Sequence, residues 1–138
     1  MNILHYDSDF INFLTRFISR LNHEFQNGAL IVVEGKNDAI ALFSLGFSGN
    51  IFTYCNNNTL SKFVDKALLY KKTILLFDYD RQGRYLTSRA IKTLERRALV
   101  DVTYRRELSY ASRGRIRYIE ELNKFPDYHN NNCYMLEF

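Results

Sequence analysis

Two short apolar runs, Ala29–Val33 and Thr73–Phe77, each stop at an acidic cluster, and this constrains the fold more than anything else in the chain. The first continues as Glu34-Gly35-Lys36-Asn37-Asp38, the second as Asp78-Tyr79-Asp80-Arg81-Gln82-Gly83. Neither run carries a charge, and both are rich in β-branched or large residues, as in strands buried on both faces. A helical pattern follows each. Open parallel sheets bind ligands beyond the carboxyl ends of their strands, so Glu34, Asp78 and Asp80 meet at one edge if the two strands are neighbours. Carboxylates brought together repel one another and hold their protons unless a cation neutralises them. A hard divalent metal, magnesium or failing that manganese, is the economical partner for such a set.

The rest of the chain alternates in the same way. Phe10, Phe13, Leu14, Phe17, Ile18, Leu21 and Phe25 recur at three- and four-residue spacing, predicting an amphipathic helix from Asp7 to Asn27, with Asp7 or Ser8 at its start and Gly28 at its end. After the first strand come a helix over Asp38–Leu45 and a short strand over Ile51–Tyr54. The polar Asn56-Asn57-Asn58 loop then leads, with Thr59 or Ser61 as cap, into a helix reaching about Tyr70. The strand Thr73–Phe77 precedes a helix over about Gln82–Arg97, a strand over Leu99–Thr103 and helical segments near 106–111 and 116–122. Strand and helix in alternation predict an α/β doubly wound sheet of four mostly parallel strands. The organisation expected is an N-terminal helix (1–28), one domain (29–122) and a tail (123–138), in which Tyr134–Phe138 is a candidate docking segment.

At 138 residues and 46% hydrophobic content, the chain suits a single domain. No apolar stretch is long enough for a membrane span, and the N-terminus lacks the order of a signal peptide, so a cytoplasmic protein without a membrane role is expected. Cys55 and Cys133 are far apart and form no metal-binding spacing, nor do His5, His23 and His129. The net charge of +4 is unevenly laid out: residues 1–80 sum to −1, residues 81–117 to +8 and residues 118–138 to −3. Most of the central excess is arginine, whose planar fork of donors suits phosphate oxygens. A metal site bordered by arginines points to a polyanion such as RNA or DNA.

The two acidic motifs, with Gly83 three positions after Asp80, resemble those of the toprim domain shared by topoisomerases, primases and several nucleases. In scale the likeness is to small archaeal toprim proteins and to the bacterial maturase of ribosomal RNA, and it covers roughly Leu21 to Leu122, including Arg105-Arg106-Glu107-Leu108. The resemblance implies a Rossmann-type domain, a glutamate acting as general acid or base at Glu34, and an Asp-x-Asp pair at Asp78 and Asp80 holding magnesium, with Asp38 a further candidate ligand. Phosphate contacts are expected from Gly35, Lys36, Arg81, Gly83, Arg84, Arg105, Arg106, Arg113, Arg115 and Arg117. Two functions fit this set. One is a magnesium-dependent nuclease or related phosphotransfer enzyme, RNA slightly favoured; the other is a non-catalytic, metal-assisted nucleic-acid-binding module within a larger processing or repair assembly.

Overall fold

Side chains along the two central strands alternate between two cores, which is why no charge falls within Ala29–Val33 or Thr73–Phe77. In a computed structural model of the chain, which describes residues 8–55 and 60–125, β1 (Ala29–Val33) sends Ala29, Ile31 and Val33 into one core and Leu30 and Val32 into another. From β3 (Lys72–Leu75) and the residues after it, Ile74 and Leu76 join the first core, Leu75 and Phe77 the second. A strand covered on both sides has no face on which a charge meets water.

The sheet is parallel throughout, in the order β2-β1-β3-β4, where β2 is Ile51–Thr53 and β4 is Val100–Asp101. Helix α1 (Ser8–Gln26), α2 (Lys36–Ser44), α5 (Thr103–Ala111) and a 3-10 helix (Ile119–Lys124) cover the first core. The other face is covered by α3 (Leu60–Ala67) and α4 (Arg81–Leu94), through Phe63, Ala67, Leu86, Ala90 and Leu94. The chain therefore leaves β1 over one face to reach β2, and returns over the other to reach β3. That reversal makes the gap between β1 and β3 the topological switch point, where parallel sheets form their ligand crevices.

Several boundaries differ from the sequence pattern. The β3 ladder ends at Leu75 rather than Phe77, although Leu76 N–H still donates to Val32 O at 2.9 Å and both later residues stay buried. Strand β4 is two residues long, because Asp101 Oδ1 accepts from Thr103 N–H at 2.8 Å and turns the chain into α5. Helix α5 thus starts at Thr103, three residues earlier than predicted, and α3 stops at Ala67 rather than near Tyr70. The segment predicted as a helix over 116–122 is a 3-10 turn over Ile119–Lys124. The Asp7 cap, the 56–59 loop with Thr59, His5, His129, Cys133 and the segment 126–138 with its docking stretch lie outside the described residues.

Candidate active site at the carboxyl edge of the sheet

Glu34 and Asp78 leave the ends of adjacent strands and are joined directly: Asp78 N–H donates to Glu34 Oε1 at 2.9 Å. The Asp78 carboxylate is held in turn by Ile119 N–H, which donates to Oδ1 at 2.8 Å. Asp80 sits at the N-cap of α4, where its Oδ1 accepts from Gly83 N–H at 2.7 Å, an ordinary way to satisfy a helix start. All three are partly buried.

Charge is crowded here. Burial raises the Glu34 carboxyl above its usual range, the Asp78 N–H opposes that, and the charges of Asp80 and Asp38 add to it. Asp78 is pushed up to about 7, mainly by burial, against the Ile119 N–H and with the charges of Asp38, Glu34 and Asp80. A raised value in the folded state means that stability from this group is present below the unfolded carboxyl value near 3.8 and is lost as pH rises through about 7. Asp78→Asn keeps an oxygen for Ile119 N–H and removes the charge. In chelator it is expected to be more stable than the parent at pH 8, by about 1–2 kcal/mol once water screening of a partly exposed group is allowed for, with the gap closing toward pH 4. Urea titrations at both pH values check this; equal stability at pH 8 would mean that the carboxylates are not crowded in solution.

The donor set is hard oxygen, the chemistry magnesium selects. Among the described residues no group of three or more His, Cys, Asp and Glu side chains converges on a single metal position. One oxygen each of Glu34, Asp78 and Asp80 already takes a backbone N–H. That arrangement fits magnesium held by one or two carboxylates with water completing its shell, and not an all-protein cage. Those one or two would come from among Glu34, Asp78 and Asp80.

Asp38 is placed differently from expectation. It is 6% exposed and accepts from Gly35 N–H at 3.0 Å and from the backbone of Glu120. These contacts tie the start of α2 to the 3-10 helix, so Asp38 serves the fold and reaches the site only through its charge. Arg105 departs more sharply. At 3% exposed it cannot meet phosphate at the surface; its Nε donates to Phe77 O at 2.8 Å, and one Nη donates to Ile116 O at 3.0 Å and Arg117 O at 2.9 Å. Its guanidinium lies 4.1 Å from the centre of the Tyr79 ring. Arg105 is a clasp that draws the 116–117 loop onto the end of β3, next to Asp78. Gly83 has a structural reason too: a Cβ there would lie 1.9 Å from Asp78 O and 2.7 Å from Glu34 Oε1. Only glycine lets α4 start against the strand end.

The other basic residues fall into two places. Lys36 and Arg81 open α2 and α4, Arg84 follows in the first turn of α4, and Arg117 is bound to the motif through its backbone, Tyr79 N–H donating to Arg117 O at 2.7 Å; all four are exposed at the carboxyl edge. Arg106 and Arg113 instead line a groove of about 560 Å³ between α1 and α5, with Phe10, Phe13, Arg16 and Tyr110. Arg115 is exposed on the loop that connects the two. Gly35 has no atom within 4 Å of where a Cβ would stand, leaving open space at the start of α2. Sequence reasoning passed over Cys55, whose N–H donates to Glu34 O at 2.7 Å. Burial and the nearby Glu34, Asp38 and Asp78 charges push its thiol up. The available signal was its position just after β2, beside β1.

Comparison with known proteins matches this architecture. The toprim domain model matches residues 29–117. A UPF0292 protein of Methanosarcina barkeri is 36% identical over 74 residues, and the matched stretch spans about half of that protein (51%) and 53% of this chain. Coverage is fuller for the UPF0292 protein of Archaeoglobus fulgidus, 28% identical over 78% of this chain and 85% of the relative. The one from Thermococcus gammatolerans is 37% identical over 72% and 73%. A solved structure of a protein from Aquifex aeolicus superposes with a TM-score of 0.68 at 30% identity, covering 78% of this chain and 96% of that one. Among the described residues no helix is long and apolar enough to cross a membrane. Sheet order, motif placement and sequence similarity therefore agree, and the chain belongs to the toprim family, in the company of small archaeal UPF0292 proteins.

Proposed function

We propose that this chain carries out magnesium-dependent phosphodiester chemistry on nucleic acid, by hydrolysis or a related phosphoryl transfer, with RNA the favoured substrate. The observation that carries the reading is the Glu34–Asp78 contact at the switch point, 2.9 Å from carboxylate to backbone N–H, rimmed by Lys36, Arg81, Arg84 and Arg117. Toprim membership brings a general association with metal-dependent work on nucleic acids.

Each part has a task. Magnesium, when bound, supplies neutralisation of the carboxylates and polarisation of a phosphoryl oxygen. Glu34, its proton held more firmly than that of a free glutamate, is suited to moving a proton: it takes one from the attacking oxygen or gives one to the leaving oxygen. The arginines at the rim fix the phosphates in register. The open space beside Gly35 leaves room for a phosphate at the free amides of α2.

The test is incubation of the protein with structured RNAs and with single- and double-stranded DNAs in magnesium, manganese or chelator. Metal-dependent cleavage is expected. Calorimetry with magnesium alone is expected to show binding to the parent and none to an Asp78→Asn, Asp80→Asn double variant. Equal binding by both sinks the metal assignment. Binding of nucleic acid without turnover on any substrate assigns the chain to a non-catalytic module instead.

A further inference from the structure

Beside the carboxylate edge, next to the rim residues Arg81 and Arg84, α4 turns outward Tyr85 and Arg89, which the site as described leaves unused. Tyr85 is 59% exposed, and its hydroxyl accepts from Arg89 Nη1 at 3.0 Å. Residues four apart share a helix face, so the Arg89 guanidinium lies beside the ring, and Arg81 lies one turn earlier on the same face. The buried side of the helix, formed by Gly83, Leu86, Ala90 and Leu94, takes no part of the ring. Arg84 sets its guanidinium 5.8 Å from the ring of Tyr79, inside the Asp-x-Asp motif. The residues just after β2 lie against the ends of β1 and β3. Cys55 N–H is bonded to the backbone oxygen of Glu34, and the ring of the preceding Tyr54 packs on Phe77, the residue before Asp78.

The geometry points to Tyr85 as a stacking platform for a base of single-stranded nucleic acid, with Arg81, Arg84 and Arg89 on the flanking phosphates and the strand running from α4 to the carboxylate edge. This rests on the nucleic-acid reading above and adds the strandedness of the substrate. Every base offers a π-face, so an exposed aromatic ring flanked by cations holds single strands with little regard to sequence. A duplex presents its phosphates to the same arginines but keeps its bases stacked inside, leaving Tyr85 nothing to bind.

Fluorescence anisotropy with a labelled single-stranded 12-mer, as RNA and as DNA, and with the matching duplexes tests the proposal on the full chain. Tyr85→Ala is expected to weaken single-strand binding about tenfold and leave duplex binding unchanged, while Tyr85→Phe binds like the parent. The sequence contains no tryptophan, so Tyr85→Trp introduces a single reporter. Its emission is expected to be quenched by the single strand, whereas that of Leu69→Trp, at a still more exposed position beyond the end of α3, is not. Parent-like single-strand affinity in Tyr85→Ala, with no quenching in Tyr85→Trp, overturns the platform while the nucleic-acid reading stands. Failure of the parent to bind any of the four oligonucleotides overturns both.

Discussion

Glu34→Gln is expected to lower metal-dependent cleavage by about a hundredfold or more, the usual loss on removing a general acid or base. Nucleic-acid affinity is expected to stay near that of the parent. The amide keeps an oxygen to accept from Asp78 N–H, so the link between the ends of β1 and β3 survives, and only the capacity to move a proton is removed. Measuring rate and affinity on one oligonucleotide separates the two effects. Retained turnover refutes the proton-transfer role; lost affinity with unchanged turnover would make Glu34 a binding residue.

The second large effect is on the fold. Gly83→Ala places a methyl 1.9 Å from the carbonyl oxygen of Asp78, and a backbone atom cannot swing aside as a side-chain tip can. Alanine favours the helix by about 1 kcal/mol over glycine, but overpacking of this severity outweighs it, with a net loss of about 2–3 kcal/mol expected. Gly35→Ala is the control. No atom lies within 4 Å of its added methyl and its φ of −139° suits any residue, so the loss is expected to be only the roughly 0.5–1 kcal/mol by which glycine outranks alanine at a helix N-cap. Urea titration of the three proteins decides. A Gly83→Ala protein as stable as the parent would mean that α4 does not start against the strand end.

The central strands and the residues at their ends were legible because burial on both faces excludes charge, so the first carboxylate marks where a strand meets water. Glu34 and Asp78 are placed by that rule alone. The edge was harder to read. Leu99 looks like a strand residue but is 64% exposed, and the turn made by Asp101 with Thr103 is a local hydrogen bond that apolar alternation does not register. Misplacing the start of α5 then hid Arg105. With the helix begun at Thr103, Arg105 lies three residues before Leu108 and one after Tyr104, on the inward face. Counting charge by segment treats every arginine as if it faced solvent. The N–H of Ile119 on Asp78 had no signature at all, since it comes from the backbone of a segment 41 residues away.

Arg105 carries a consequence for the order in which the protein is made. A ribosome that has reached Ala111 has already produced every carboxylate of the site and the arginine itself, but not the Ile116 and Arg117 carbonyls that the guanidinium grips, nor the Ile119 N–H that orients Asp78. Because a domain folds as a unit, the acidic edge waits on the segment that disciplines it. The clasp thus ties the acidic edge to a later segment: the contacts that hold Arg105 and orient Asp78 exist only once residues 116–119 have followed α5.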